Sequence, residues 1–157
     1  MAKVHFFYST MNAGKSTALL QSAHNYHETG NETILFIPRE DAEKNSGLIK
    51  SRIGLKASAV IIDSKIKIFE YVKSEAEKKS IDAILIDEAQ FLKKHQVLEM
   101  CKVCDQLEIP VMCYGIRTDF RGELFEGSAA LLALADNLIE LKTVCNECSR
   151  KATMVVR

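Results

Sequence analysis

The sequence predicts an α/β protein in which a parallel sheet, covered by helices on both faces, carries a phosphate-binding loop. Short apolar runs rich in β-favouring residues alternate with segments of helical period along the chain. The run Val4-His5-Phe6-Phe7-Tyr8 passes through Ser9-Thr10-Met11-Asn12-Ala13-Gly14-Lys15-Ser16-Thr17 into a segment with Leu19, Leu20, Ala23 and Tyr26 at helical spacing. A loop between strand and helix is the context in which such a sequence binds phosphate. A second apolar run, Ile81 to Ile86, ends in Asp87-Glu88, as a buried parallel strand presents acids at its C-terminal edge.

The remaining elements follow in order. The first helix runs from Ser16 to near Gly30, with Gln21, His24, Asn25 and Glu28 on its polar face. Thr33 to Ile37 is a strand closed by Pro38, and the polar stretch from Arg39 to Ser51 has no period and reads as a loop near the nucleotide. Ala59 to Ile62 is a strand, after which Asp63 or Ser64 caps a helix that places Ile66, Phe69, Val72 and Ala76 on one face and Lys73, Glu77, Lys78 and Lys79 in solvent. A helix from about Lys93 to Leu107 aligns Val97, Cys101, Cys104 and Leu107. Its C-x-x-C is open to two readings, core packing or metal and redox chemistry. Pro110 to Tyr114 is a strand, and Gly115 to Gly122 a loop at its C-terminal end. Arg117 and Arg121 there serve either a transferring phosphate or surface salt bridges. Glu123 to Ala135 is a helix and Asn137 to Leu141 a strand.

Each residue type in the two motifs answers a chemical need. Loop N–H groups and the positive end of the helix cradle a polyphosphate, Lys15 adds charge at the β- and γ-phosphates, and Ser16 ligates Mg²⁺. Asp87 holds the Mg²⁺ from the other side, and Glu88 accepts a proton from whatever attacks the γ-phosphate. Ser9 stands where the strict pattern has its first glycine.

With 157 residues, 47% of them hydrophobic, the chain suits one core. Lys+Arg and Asp+Glu both number 21, so no net field attracts nucleic acid or an anionic membrane. No apolar run approaches a membrane span, a strand begins at Lys3 where a signal peptide would lie, and a cytoplasmic location is expected. Five cysteines argue for thiols or metal ligands over disulfides. Cys145-Asn146-Glu147-Cys148 lies outside any helical period and resembles half of a tetrahedral zinc site.

Taken together, the loop from Tyr8 to Thr17, Asp87-Glu88-Ala89-Gln90-Phe91-Leu92, Tyr114 to Gly122 and Cys145-x-x-Cys148 resemble the thymidine kinase family of the cytosolic, zinc-containing class in its bacterial form. The resemblance spans essentially the whole chain. It implies a RecA-like P-loop domain over 1–141 and the first half of a zinc-binding lasso subdomain over 142–157. It also implies transfer of the γ-phosphate of ATP to the 5′-hydroxyl of thymidine in nucleoside salvage. On the same resemblance Ser9, Thr10, Met11, Asn12, Ala13, Gly14, Lys15, Ser16, Asp87, Glu88, Ala89 and Gln90 form the ATP site, and Glu88 is the general base. Ser16 and Asp87 serve Mg²⁺, while Met11, Phe91, Ile116 and Phe120 line the thymine pocket. Cys145 and Cys148 bind a structural Zn²⁺. A homotetramer and feedback inhibition by thymidine triphosphate are implied as well.

The sequence departs from the family in two ways. Glu43, flanked by Lys44, stands where the family commonly carries an arginine near the transferring phosphate, leaving Arg39, Lys44 or Arg52 to supply that charge. The family's chain also continues past the position of Arg157 with the second zinc-ligand pair and the lasso, and a chain ending there is expected to bind zinc and nucleoside weakly. The reading from another class is a RecA-type ATPase that works on a partner, and a third is a zinc-stabilised binding module without catalysis. A nucleoside-independent ATPase rate would favour the former, and activity surviving Lys15→Ala and Glu88→Gln the latter.

Overall fold

A computed structural model describes residues 2–9, 15–39, 47–50, 56–119, 121–141, 143–144 and 151–152. Ten strands lie among them: β1 (Val4–Ser9), β2 (Thr33–Pro38), β3 (Leu48–Lys50), β4 (Lys56–Ser58), β5 (Val60–Ile62), β6 (Ala83–Ile86), β7 (Val111–Ile116), β8 (Asn137–Leu141), β9 (Thr143–Val144) and β10 (Lys151–Ala152). The helices described are α1 (Lys15–Glu28), α2 (Ile68–Lys78), α3 (Lys94–Lys102) and α4 (Glu126–Leu134).

Six strands form one wholly parallel sheet in the order β5-β2-β6-β7-β1-β8. The loop-bearing β1 and the acid-bearing β6 are therefore separated by β7. Alternate residues of each strand feed two cores. Phe6, Ile84, Ile86, Val111 and Cys113 pack with Phe69 and Val72 of α2, Val97 and Met100 of α3 and Leu131 of α4. Ala83, Leu85 and Tyr114 pack on the other side with Leu19 and Leu20 of α1 and with Ile49 of β3. Both faces are covered, and all four residues of β6 are buried.

The expected elements appear, with shifted ends. Asp63 accepts hydrogen bonds from the Lys65 and Ile66 amides at 2.9 Å, so it caps a preceding turn, and α2 starts only at Ile68. The expected Lys93–Leu107 helix divides into α3 and a wider π turn, Val103–Leu107, ended by Glu108 in the left-handed region at φ 55°. Part of the expected 39–51 loop is strand, because β3 pairs antiparallel with β4 and Ile49 is fully buried. Its strands are only three residues long, Leu48-Ile49-Lys50 and Lys56-Ala57-Ser58, too short to show a period.

Candidate active site

The site forms at the C-terminal ends of β1, β7 and β6, where open parallel sheets bind ligands. Tyr114 of β7 stacks on Phe7 of β1 at 4.6 Å between centroids and shares a hydrogen bond of 3.1 Å with Ser22, which fixes α1 against the sheet. The start of α1 thereby faces the end of β6.

Ser16 donates a 2.9 Å hydrogen bond from Oγ to Asp87 Oδ2, and the Lys15 ammonium lies 3.8 Å from Asp87 Oδ1. The same ammonium is paired with Glu88 Oε1. Asp87 is 2% exposed, and burial raises its carboxyl above the usual range, against the lowering influence of Lys15. A buried carboxylate beside a hydroxyl is a donor set suited to a hard divalent cation, so Ser16 and Asp87 fit Mg²⁺. Ser9 ends β1 beside Ile116, and its hydroxyl is buried without a hydrogen-bond partner among the described residues.

Glu88 leaves the sheet in the left-handed region, φ 52° and ψ 42°, a conformation that costs a non-glycine residue about 1–2 kcal/mol. Its amide donates to Asp87 Oδ1 at 2.9 Å. The following turn, Ala89–Phe91, is buried at Ala89 and Gln90. Gln90 donates from Nε2 to Glu88 Oε2 and accepts at Oε1 from the Ile116 amide at 3.2 Å. Ser128, fully buried in α4, donates to the Ile116 carbonyl at 2.5 Å.

Among the residues expected in the thymine pocket, Phe91 sets its ring edge-to-face with Phe125 at 5.8 Å and borders a 210 Å³ cavity with Arg39, Asp63 and Lys93. Ile116 is 8% exposed, and its amide bonds Gln90, the residue before Phe91. Thr10, Met11, Asn12, Ala13, Gly14, Phe120, Cys145 and Cys148 lie outside the described residues, as do Glu43, Lys44 and Arg52. Among the described residues no cluster of His, Cys, Asp and Glu is arranged to hold a metal ion.

The structure bears on two readings that the sequence leaves open. Arg121 bonds Asp119 at 3.4 Å and pairs with Glu123 at 3.6 Å on the surface, while Arg117 lies 5.6 Å from the ring centroid of Tyr8. In the C-x-x-C, Cys104 is a buried free thiol that burial pushes up to about 12 and Cys101 is half-buried against the same core, so the pair packs the core; Cys113 of β7 is buried as well. Sequence reasoning passed over Gly127 and Ser128, because a glycine and a serine within an Ala/Leu-rich segment carry no chemical signature. Gly127 admits the Ala89 carbonyl to where its own Cβ would stand, 2.3 Å away.

A strand, Lys15-Ser16 opening a helix, and a facing Asp-Glu pair at the end of a buried parallel strand define a P-loop nucleotide-dependent enzyme. The family model described as Thymidine kinase matches residues 2–157. The chain is 52% identical over 157 residues to a thymidine kinase of Escherichia coli (strain K12), covering 100% of this chain and 76% of the relative. Identity is 52% to the one from Shigella dysenteriae and 50% to the one from Salmonella typhimurium, with the same coverage. The chain belongs to the thymidine kinase family.

Proposed function

We propose that this chain transfers the γ-phosphoryl group of ATP to the 5′-hydroxyl of thymidine, giving thymidine monophosphate and ADP. The observation that carries the reading is the placement of the Glu88 carboxylate beside Lys15, one residue after an Asp87 bonded to Ser16. Lys15 holds the β- and γ-phosphates, and Ser16 with Asp87 would hold Mg²⁺, which when bound neutralises charge on the phosphate oxygens. Glu88 takes the proton of the 5′-hydroxyl as its oxygen bonds to the γ-phosphorus and the bond to the ADP oxygen breaks. Phosphates that draw the ammonium of Lys15 toward them leave Glu88 Oε1 to the hydroxyl.

The finer architecture belongs to the same proposal. A strand between the loop-bearing β1 and the acid-bearing β6 supports a RecA-like domain over 1–141. Met11, Phe91, Ile116 and Phe120 line the thymine pocket. Over 142–157 the antiparallel pair β9 and β10 brackets the sequence containing Cys145 and Cys148, which supports a zinc-binding ribbon. A homotetramer and inhibition by thymidine triphosphate complete the reading by family analogy. No described helix is long and apolar enough to cross a membrane.

The test is transfer of labelled γ-phosphate from ATP to thymidine with Mg²⁺ present. Labelled thymidine monophosphate is expected, at a rate that depends on thymidine. ATP hydrolysis indifferent to thymidine, with no nucleotide product, would replace this reading with a partner-directed ATPase.

A further inference from the structure

We propose that Gln90 is a positioning residue for Glu88: it ties up Oε2 of the base and leaves Oε1 as the atom that accepts the substrate proton. This rests on the reading of Glu88 as the base. The side chain of Gln90, which the family resemblance counts in the ATP site, is 3% exposed and its amide is engaged at both ends within the protein, which leaves it to act on Glu88 and not on ATP. The Ile116 amide can only donate, so the Gln90 oxygen must face it, and the NH₂ is thereby turned toward a carboxylate that can only accept. The orientation of the amide follows from its partners.

The amide is also confined sterically. A Cβ on Gly115 would stand 2.7 Å from Gln90 Oε1 and 3.0 Å from the Gln90 backbone nitrogen, so the side chain occupies space that only glycine leaves open. Ser128 bonds the Ile116 carbonyl, which lies in the next peptide unit and not in the one whose amide meets Gln90. A left-handed Glu88 is thus followed by a turn whose one buried amide joins the base to the end of β7. The ammonium of Lys15 meets Oε1, the oxygen turned toward the helix that starts the phosphate site.

The experiment compares Gln90→Met, Gln90→Glu, Ser128→Ala and Glu88→Gln, measuring kcat, KM for ATP and thymidine, and melting temperature. Gln90→Met removes donor and acceptor at constant length, and kcat is expected to fall by about 10- to 100-fold while KM for ATP stays within about twofold of wild type. Ser128→Ala frees the Ile116 carbonyl, in the neighbouring peptide unit, without removing a bond to Gln90 or Glu88, and is expected to lose thermal stability while keeping kcat. Gln90→Glu keeps the acceptor for Ile116 and replaces the donor to Glu88; the same fall in kcat is expected, and this variant decides the matter if Gln90→Met does not fold. Wild-type kcat in a folded Gln90 variant overturns the proposal. So does an equal loss of kcat in Ser128→Ala, which would place the effect in β7. A fully active Glu88→Gln would instead overturn the assignment of the base, whatever the Gln90 variants do.

Discussion

Replacing Gly127 by alanine probes how tightly the base-bearing turn is seated. Gly127 is the second residue of α4, and an added Cβ would lie 2.3 Å from the Ala89 carbonyl oxygen and 2.9 Å from those of Gln90 and Leu92. All three atoms are backbone, and ordinary contact begins at 3.4 Å, so turn and helix must part by about an ångström. Overpacking of this kind costs about 1–3 kcal/mol, offset by up to about 1 kcal/mol from the better helix propensity of alanine. The net loss of about 1–2 kcal/mol corresponds to a fall in Tm of about 2–8 °C for a chain of this length. The catalytic cost should exceed the structural one, because the displaced turn directly follows Glu88 and contains Gln90. A shift of an ångström in a reacting geometry is worth on the order of 100-fold in rate. Thermal melting and steady-state formation of thymidine monophosphate measure the two effects. A folded Gly127→Ala protein with kcat within about twofold of wild type would refute the reasoning, as would an unchanged Tm.

Asp87 and the buried thiols make three further predictions. The folded-state value of Asp87 is raised above its ordinary 3.8, first by burial, so the ionised carboxylate penalises the native state at neutral pH. The penalty is present above the raised value and relieved as pH falls through it. Asp87→Asn is therefore expected to melt higher than wild type at pH 7, with the gain shrinking toward pH 4, while phosphoryl transfer collapses; a lower Tm at pH 7 would contradict the assignment. Burial holds Cys104 neutral up to about 12, so only the unfolded chain ionises this thiol above its ordinary 9.0, and stability is expected to fall as pH rises past that value. Mass-mapped alkylation at pH 7.5 should leave Cys104 and Cys113 unmodified in the native protein and modify both in guanidinium; rapid native labelling of either would contradict their place in the core.

Lys15, Ser16, Asp87 and Glu88 were legible because each is defined by residue type and by its place at the end of a strand or the start of a helix, which hydrophobic patterning locates. The two-faced parallel sheet was legible for the same reason, since strands such as β6 are apolar throughout. Gly115, Gly127 and Ser128 act through contacts between separate segments, and no local pattern marks a glycine that gives way to a distant carbonyl or a serine that bonds one; Gln90 was read from the family resemblance as part of the ATP site, not through its bond to Glu88. The β3–β4 pair escaped because its strands are three residues long and its stability rests on Ile49 reaching the α1 side of the sheet, a tertiary contact. The break between α3 and the π turn lies within a continuous apolar stripe, which reads as a single helix until the backbone is seen.

The most direct test of the account is single-turnover transfer of the ATP γ-phosphate to thymidine by Glu88→Gln, with affinity for ATP measured in parallel. General-base catalysis is worth about 10²–10⁴-fold, so transfer should slow by that factor while ATP affinity remains near that of wild type. Transfer at the wild-type rate would contradict the role of Glu88, and with it the mechanism derived from the Lys15, Asp87 and Gln90 geometry.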